Sequence, residues 1–238
     1  MRIGIIGDAH EPYTHPMYRR FCLDTFSKFR VNHHLFIGDV TDNSALSFHE
    51  HDPNLHSAND EADKAWAGVA KWRRAIPVAD VCIGNHDELI FRKARAAGIA
   101  DRFVRDYANV WETPDWNWQF EFEYDGALFV HGTGNSGKDA AINLAIQRRK
   151  STAIGHLHSW AGCKFHANND SLIWGLNVGS GVDPKALAFA YGKFFAVRPV
   201  LSCAVVLDGW PCLVPMPCGR GEKYNRRRAG KRKRRVLV

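Results

Sequence analysis

Three short apolar runs, each ending in a loop of carboxylate, imidazole or amide side chains, limit the fold of this chain more than any other feature. Arg2-Ile3-Gly4-Ile5-Ile6-Gly7 leads into Asp8-Ala9-His10. His33-His34-Leu35-Phe36-Ile37 leads into Gly38-Asp39-Val40-Thr41-Asp42, and Ala79-Asp80-Val81-Cys82-Ile83 into Gly84-Asn85-His86-Asp87. Short apolar runs bounded by turn residues read as buried strands. Between them, residues 15–30 carry Met17, Phe21, Leu23, Phe26 and Phe29 at near-helical spacing, and residues 58–74 carry Ala62, Ala65, Trp66, Val69 and Trp72 on one side of a helix. Strand, helix, strand in succession is an α/β pattern, and open α/β sheets place their sites at the carboxyl ends of their strands. Asp8 and His10, two residues apart, face the same way on an extended segment and can hold one ion between them. Asp39, leaving a central strand, is the candidate to bridge two ions.

The remaining chain extends the pattern. A helix is expected near 88–98. Residues 116–124 alternate strictly, with Trp116, Trp118, Phe120, Phe122 and Tyr124 against Asn117, Gln119, Glu121 and Glu123, which predicts one half-buried strand with its aromatic face in a sheet core. Asp125-Gly126 reads as a hairpin turn into the strand 127–131, which ends at His131. Residues 132–139, Gly-Thr-Gly-Asn-Ser-Gly-Lys-Asp, nearly spell a phosphate-binding loop, but Asp139 stands where a Ser or Thr must hold Mg²⁺, and a carboxylate there repels phosphates. A helix over 138–149 leads to the strand 151–154 and then Gly155-His156-Leu157-His158, another strand that ends in ligand-type residues. Further strands are expected near 160–167, 171–178, 200–208 and 211–216, with a helical insertion over 183–198. The segment 43–57, carrying His49, His51 and His56, reads equally as a solvated loop and as a lid that contacts substrate.

The 238 residues, 45% of them hydrophobic, suit one large domain over 1–218 followed by a basic tail over 219–238. That tail holds ten Lys/Arg against one acid, leaving 22 basic and 24 acidic residues in the body, so the net charge of +7 belongs to the tail. Arg226-Arg227-Arg228 and Lys231-Arg232-Lys233-Arg234-Arg235 read either as a nucleic-acid contact through phosphates or as a solvated end. The six cysteines include no Cys-x-x-Cys pair and are expected to be reduced thiols. No secretion signal and no apolar run near 18 residues is visible, so a cytoplasmic protein without membrane contact is expected.

Taken together, Asp8-x-His10, Gly38-Asp39-x-x-Asp42, Gly84-Asn85-His86-Asp87, Val130-His131-Gly132 and Gly155-His156-x-His158 resemble, in order, the blocks of the calcineurin-like metallophosphoesterase family. The resemblance covers residues 1–180. It implies a four-layer αββα sandwich with two divalent metal ions at the strand ends. By position, Asp8, His10 and His158 would bind one ion, Asn85, His131 and His156 the other, and Asp39 both. His86 would protonate the leaving oxygen, with Asp42 holding it and favouring its charged form, and Asn85 and His86 would also contact substrate.

The implied chemistry is hydrolysis by a bridging water polarised toward hydroxide between two cations about 4 Å apart. The mixed nitrogen and oxygen ligands favour Mn²⁺, with Fe, Zn²⁺ or Ni²⁺ as alternatives. The short chain and the Gly-His-x-His pair look most like the small phosphodiesterases of the family, acting on nucleotide or nucleic-acid diesters. A phosphomonoesterase with the same core is the alternative. A non-catalytic scaffold and a P-loop nucleotide binder are the readings from other classes.

Overall fold

The computed structural model describes residues 1–48, 55–186 and 198–217. His49, His51, the basic tail and most of the expected 183–198 insertion lie outside these residues.

The strands form two sheets. In the first, β1 (Arg2–Ile6), β2 (His33–Phe36), β3 (Ala79–Cys82) and β4 (Trp116–Gln119) run parallel, and β10 (Ser202–Leu207) and β11 (Trp210–Pro215) add antiparallel beside β1, giving the order β11-β10-β1-β2-β3-β4. In the second, β6 (Ala127–Val130), β7 (Ser151–Ile154) and β9 (Leu172–Asn177) are parallel, while β5 (Glu121–Tyr124) and β8 (Gly162–Ala167) close the edges antiparallel, giving β5-β6-β7-β9-β8.

The period of two along each strand sorts its side chains into two cores. Ile3, Ile5, Leu35, Ile37 and Cys82 face Phe122, Phe129, Ala153, Trp174 and Leu176 between the sheets. On the opposite face of the first sheet, Ile6, Phe36, Val81, Cys203 and Val205 pack against Phe21, Cys22 and Phe26 of α1 (Tyr18–Phe29) and Ala65, Val69 and Trp72 of α2 (Ala58–Ala75). On the outer face of the second sheet, Val130 and Ile154 meet Ala140, Ala141 and Leu144 of α5 (Ala140–Arg148). The result is helix, sheet, sheet, helix: a four-layer αββα sandwich. Two shorter helices, α3 (Leu89–Ala96) and α4 (Tyr107–Val110), occupy the connection between β3 and β4.

One expected element is divided. The aromatic run 116–124 is two strands in different sheets, with Phe120, 59% exposed, at the crossing. Trp116 and Trp118 join the helix-side core and Phe122 the inter-sheet core. The alternation continues unbroken through Phe120, so periodicity alone does not show the change of sheet. The start of 43–57 is also less loop-like than expected. A short 3-10 turn, Ser44–Leu46, is held by the buried Glu61 carboxylate, which accepts from the backbone N–H of Ser44 (2.7 Å) and Ala45 (2.9 Å).

Candidate metal centre

The carboxyl ends of β1, β2, β3, β6 and β7 open on one edge of the sandwich, and their exit loops bring Asp8, His10, Asp39, Asn85, His131, His156 and His158 together. Three groups could each hold an ion: Asp8, His10, Asp39 and His158; Asp39, His131 and His156; and His10, Asp42 and His86. Asp39 belongs to the first two, because its Oδ2 lies 3.5 Å from His10 Nε2 and 3.1 Å from His131 Nε2. Asn85 joins the second group through Oδ1, 3.1 Å from His131 Nε2.

The local backbone is bent to present these side chains. His10, Asp39 and His156 have φ of 50°, 45° and 66°, in the left-handed region that non-glycine residues rarely occupy. Such strain persists where surrounding structure fixes it, and it gathers at functional sites. Here the fixing contacts are specific. The backbone N–H of His86 donates to Asp39 Oδ1 at 2.9 Å, and that of His156 donates to Asp8 Oδ2 at 2.7 Å. The glycines of the motifs make room for the same carboxylates. A Cβ added at Gly84 would overlap Asp39 Oδ1, and one at Gly155 would overlap Asp8 Oδ1, each closer than real Cβ contacts come.

Two of the imidazoles are oriented by the nitrogen they turn away from the centre. His131 Nδ1 donates to the backbone carbonyl of Ile37 at 3.1 Å, and His10 Nδ1 faces Asp42 Oδ1 at 2.6 Å, which leaves both Nε2 atoms toward Asp39. Holding one ring nitrogen by a carbonyl or carboxylate is how ligating histidines are fixed in tautomer and direction. His10 Nε2 and His158 Nε2 approach to 3.0 Å, and Oδ1 of the buried Asp8 has no hydrogen-bond partner among the described residues. Converging ring nitrogens, buried carboxylates and an orphaned carboxylate oxygen make a donor set that fits divalent cations.

The electrostatics point the same way. Burial pushes the Asp39 carboxyl up, but the neighbouring His131 and His86 outweigh it and hold the group well below the usual carboxylate range. Burial alone would lower His131, yet the Asp39 and Asp8 carboxylates raise it to about 9, a measure of how much negative charge is buried around it. His86, whose side chain is 27% exposed, is lowered by burial and raised more strongly by Asp39 and Asp42.

The Asp42 carboxylate, expected to hold His86 and favour its charged form, lies within ion-pair reach of that ring, while the ring's hydrogen bond goes to the Asp42 backbone. The carboxylate is bound to His10, its Oδ1 lies 3.6 Å from His86 Nδ1, and His86 Nδ1 instead donates to the Asp42 backbone carbonyl at 2.6 Å. His56 stacks on Tyr13 with ring centroids 6.3 Å apart, and its ring nitrogens meet Lys64 Nζ at 2.9 and 3.1 Å. Asp139 ion-pairs with Lys164.

Asp87 carries more of the site than its motif suggests. Fully buried, it accepts from the backbone N–H of Val40, Thr41 and Gly84 at 3.3, 3.1 and 3.1 Å, and from Thr41 Oγ1 at 3.1 Å, so it ties the β2 exit loop to the β3 exit loop. Burial and the charge of Asp39 push it up to about 7. Its adjacency to His86 was visible in the sequence, but its backbone partners 46 and 47 residues away were not.

No protein-family model matches the chain, and no curated protein matches it. Among solved structures it is similar to vacuolar protein sorting 29 from Cryptosporidium parvum (14% identity, TM-score 0.44, covering 90% of this chain and 95% of that one). It is similar also to YfcE, a phosphoesterase from E. coli (13%, 0.41, 87% and 88%), and to the Pseudomonas putida nuclease MPE (14%, 0.40, 88% and 87%). Likeness at this level leaves the chemistry to be read from the side chains.

Proposed function

We propose that this chain is a calcineurin-like metallophosphoesterase that hydrolyses phosphodiesters with two divalent metal ions. The observation that carries the reading is Asp39, one buried carboxylate shared by two converging donor groups. Asp8, His10 and His158 would hold one ion, Asn85, His131 and His156 the other, and Asp39 both. Two divalent cations so held would activate a water and neutralise the phosphate oxygens under attack.

The protein's own residues supply the rest. Asn85, with Oδ1 toward His131, keeps its amide N–H groups for a phosphate oxygen. His86, fixed through Nδ1 to the Asp42 carbonyl, presents Nε2 at the partly open mouth of the site, and the carboxylates around it favour the imidazolium. As the bond from phosphorus to the leaving oxygen breaks, the Nε2 proton passes to that oxygen.

The test is turnover of bis-p-nitrophenyl phosphate against p-nitrophenyl phosphate by metal-stripped protein reloaded with Mn²⁺. Preference for the diester, abolished by chelator, is expected. Preference for the monoester makes the chain a phosphatase, and no metal-dependent turnover of either removes the hydrolase reading.

A further inference from the structure

Beside the metal centre, on the outer face of the second sheet, lies a cavity of about 230 Å³ between the first turn of α5 and the β8-β9 pair. Its wall includes Lys138, Ile142, Trp160, Cys163, Lys164 and Asn177. Asn177 is the unusual member. It is 4% exposed, and neither its amide oxygen nor its amide nitrogen has a hydrogen-bond partner among the described residues. A buried amide that makes neither of its bonds is costly, and such a group in the wall of a cavity calls for a ligand that answers both.

The fold builds this cavity from loops that also serve the metal centre. Asn177 ends β9, in register with Ile154, whose strand exits directly into Gly155-His156. Trp160 follows His158 by two residues, and Lys138 lies on the loop that leaves His131. Gly175, two residues before Asn177, allows the close seat of α5, since a Cβ there would overlap the backbone of Ile142. Trp160 is 49% exposed, so an aromatic face stands at the rim, and the exposed Lys138 adds positive charge there.

We propose that this cavity binds a nucleobase of the substrate, with Asn177 reading a paired donor and acceptor on the base edge and Trp160 stacking on its face. A side-chain amide matches the adjacent amino donor and ring-nitrogen acceptor of adenine in a bidentate pair, and an indole is a good stacking platform for any base. The volume lies below the roughly 300–1,000 Å³ of sites for drug-sized ligands and suits a single ring system. The identity of the ring's parent molecule, a nucleotide or nucleic-acid phosphodiester, rests on the phosphodiesterase reading. The pocket also gives that reading a means of substrate choice that the metal ligands lack.

The experiment is calorimetric titration of the full chain with adenosine, which has no phosphate to engage the metal centre, alongside ribose as the base-free control. Adenosine is expected to bind and ribose not. Asn177→Leu, which removes donor and acceptor together, should weaken adenosine at least tenfold. Trp160→Ala, at a partly exposed position that does not threaten folding, should weaken it about 5- to 100-fold. Equal adenosine affinity in wild type and Trp160→Ala, or no adenosine binding by wild type, overturns the proposal even where Asn177→Leu fails to fold. Turnover of bis-p-nitrophenyl phosphate, which carries no base, reads the hydrolase separately. Diester turnover without adenosine binding removes the pocket and leaves the enzyme, and adenosine binding that depends on Trp160 without turnover supports the pocket and removes the enzyme.

Discussion

The carboxylate of Asp42 lies 2.6 Å from Nδ1 of His10, and the backbone carbonyl of the same residue lies 2.6 Å from Nδ1 of His86. One residue therefore orients two imidazoles by two different atoms. Removing the side chain takes the partner from His10 Nδ1 and leaves the backbone hydrogen bond to His86 in place. Asp42→Ala should thus lower metal affinity by about 10- to 100-fold, the usual cost of losing the partner that fixes a ligating histidine. Isothermal titration with Mn²⁺ measures this. Unchanged affinity with reduced turnover would return the Asp42 carboxylate to a role on His86.

Gly155 has no room for a side chain against Asp8, because an added Cβ would overlap Oδ1. Gly155→Ala should displace that carboxylate, weakening metal binding and costing about 1–3 kcal/mol of stability, as overpacking a filled site does. Urea denaturation and metal titration read the two effects. A variant with wild-type stability and wild-type metal affinity contradicts the packing account.

His86→Ala should keep the metals and lose rate, by about 10²- to 10⁴-fold for substrates with poor leaving groups. The loss should shrink for p-nitrophenolate, which leaves without needing the proton. Steady-state rates across a series of aryl and alkyl diesters decide it. An equal loss for every leaving group argues against His86 as the acid.

Asp80 lies outside the centre, among His33 Nε2 (2.7 Å), Tyr124 OH (2.6 Å) and Asn117 Nδ2 (3.1 Å). Burial pushes its carboxyl up, but bonds from His33, Tyr124 and Asn117 outweigh this and hold it below the usual carboxylate value. A depressed native value means the contribution is full above the unfolded value of about 3.9 and is lost as pH falls through the native one. Asp80→Ala should destabilise the protein by about 1–3 kcal/mol at pH 7. The gap from wild type should narrow as denaturation is repeated below pH 4, and a gap that is constant with pH refutes the assignment.

The elements most legible in the sequence were those whose signal is local. The apolar runs before Asp8, Asp39 and Asn85 are strands ending where their turn residues fall, and helices 15–30 and 58–74 follow their apolar spacing to within a few residues. Side-chain partners were not legible, because docking of distant segments sets them. Asp42 meets His10 across 32 residues, Asp87 holds the loop at Val40 and Thr41, and the Asn177 side-chain amide beneath α5 finds no hydrogen-bond partner among the described residues. The division at Phe120 escaped for the same reason: the period of two continues, while the choice of sheet depends on what packs on either side.

The central claim is that Asp39 joins two ions in one centre, and counting bound metal tests it most directly. Metal-stripped protein is equilibrated with Mn²⁺, freed of excess by gel filtration, and its bound metal is determined by elemental analysis, for wild type and Asp39→Asn. Two ions per wild-type chain are expected, with at most one retained by Asp39→Asn and nearly all diester turnover lost. A wild type that holds one ion or none, or an Asp39→Asn protein that keeps two ions and full rate, contradicts the account.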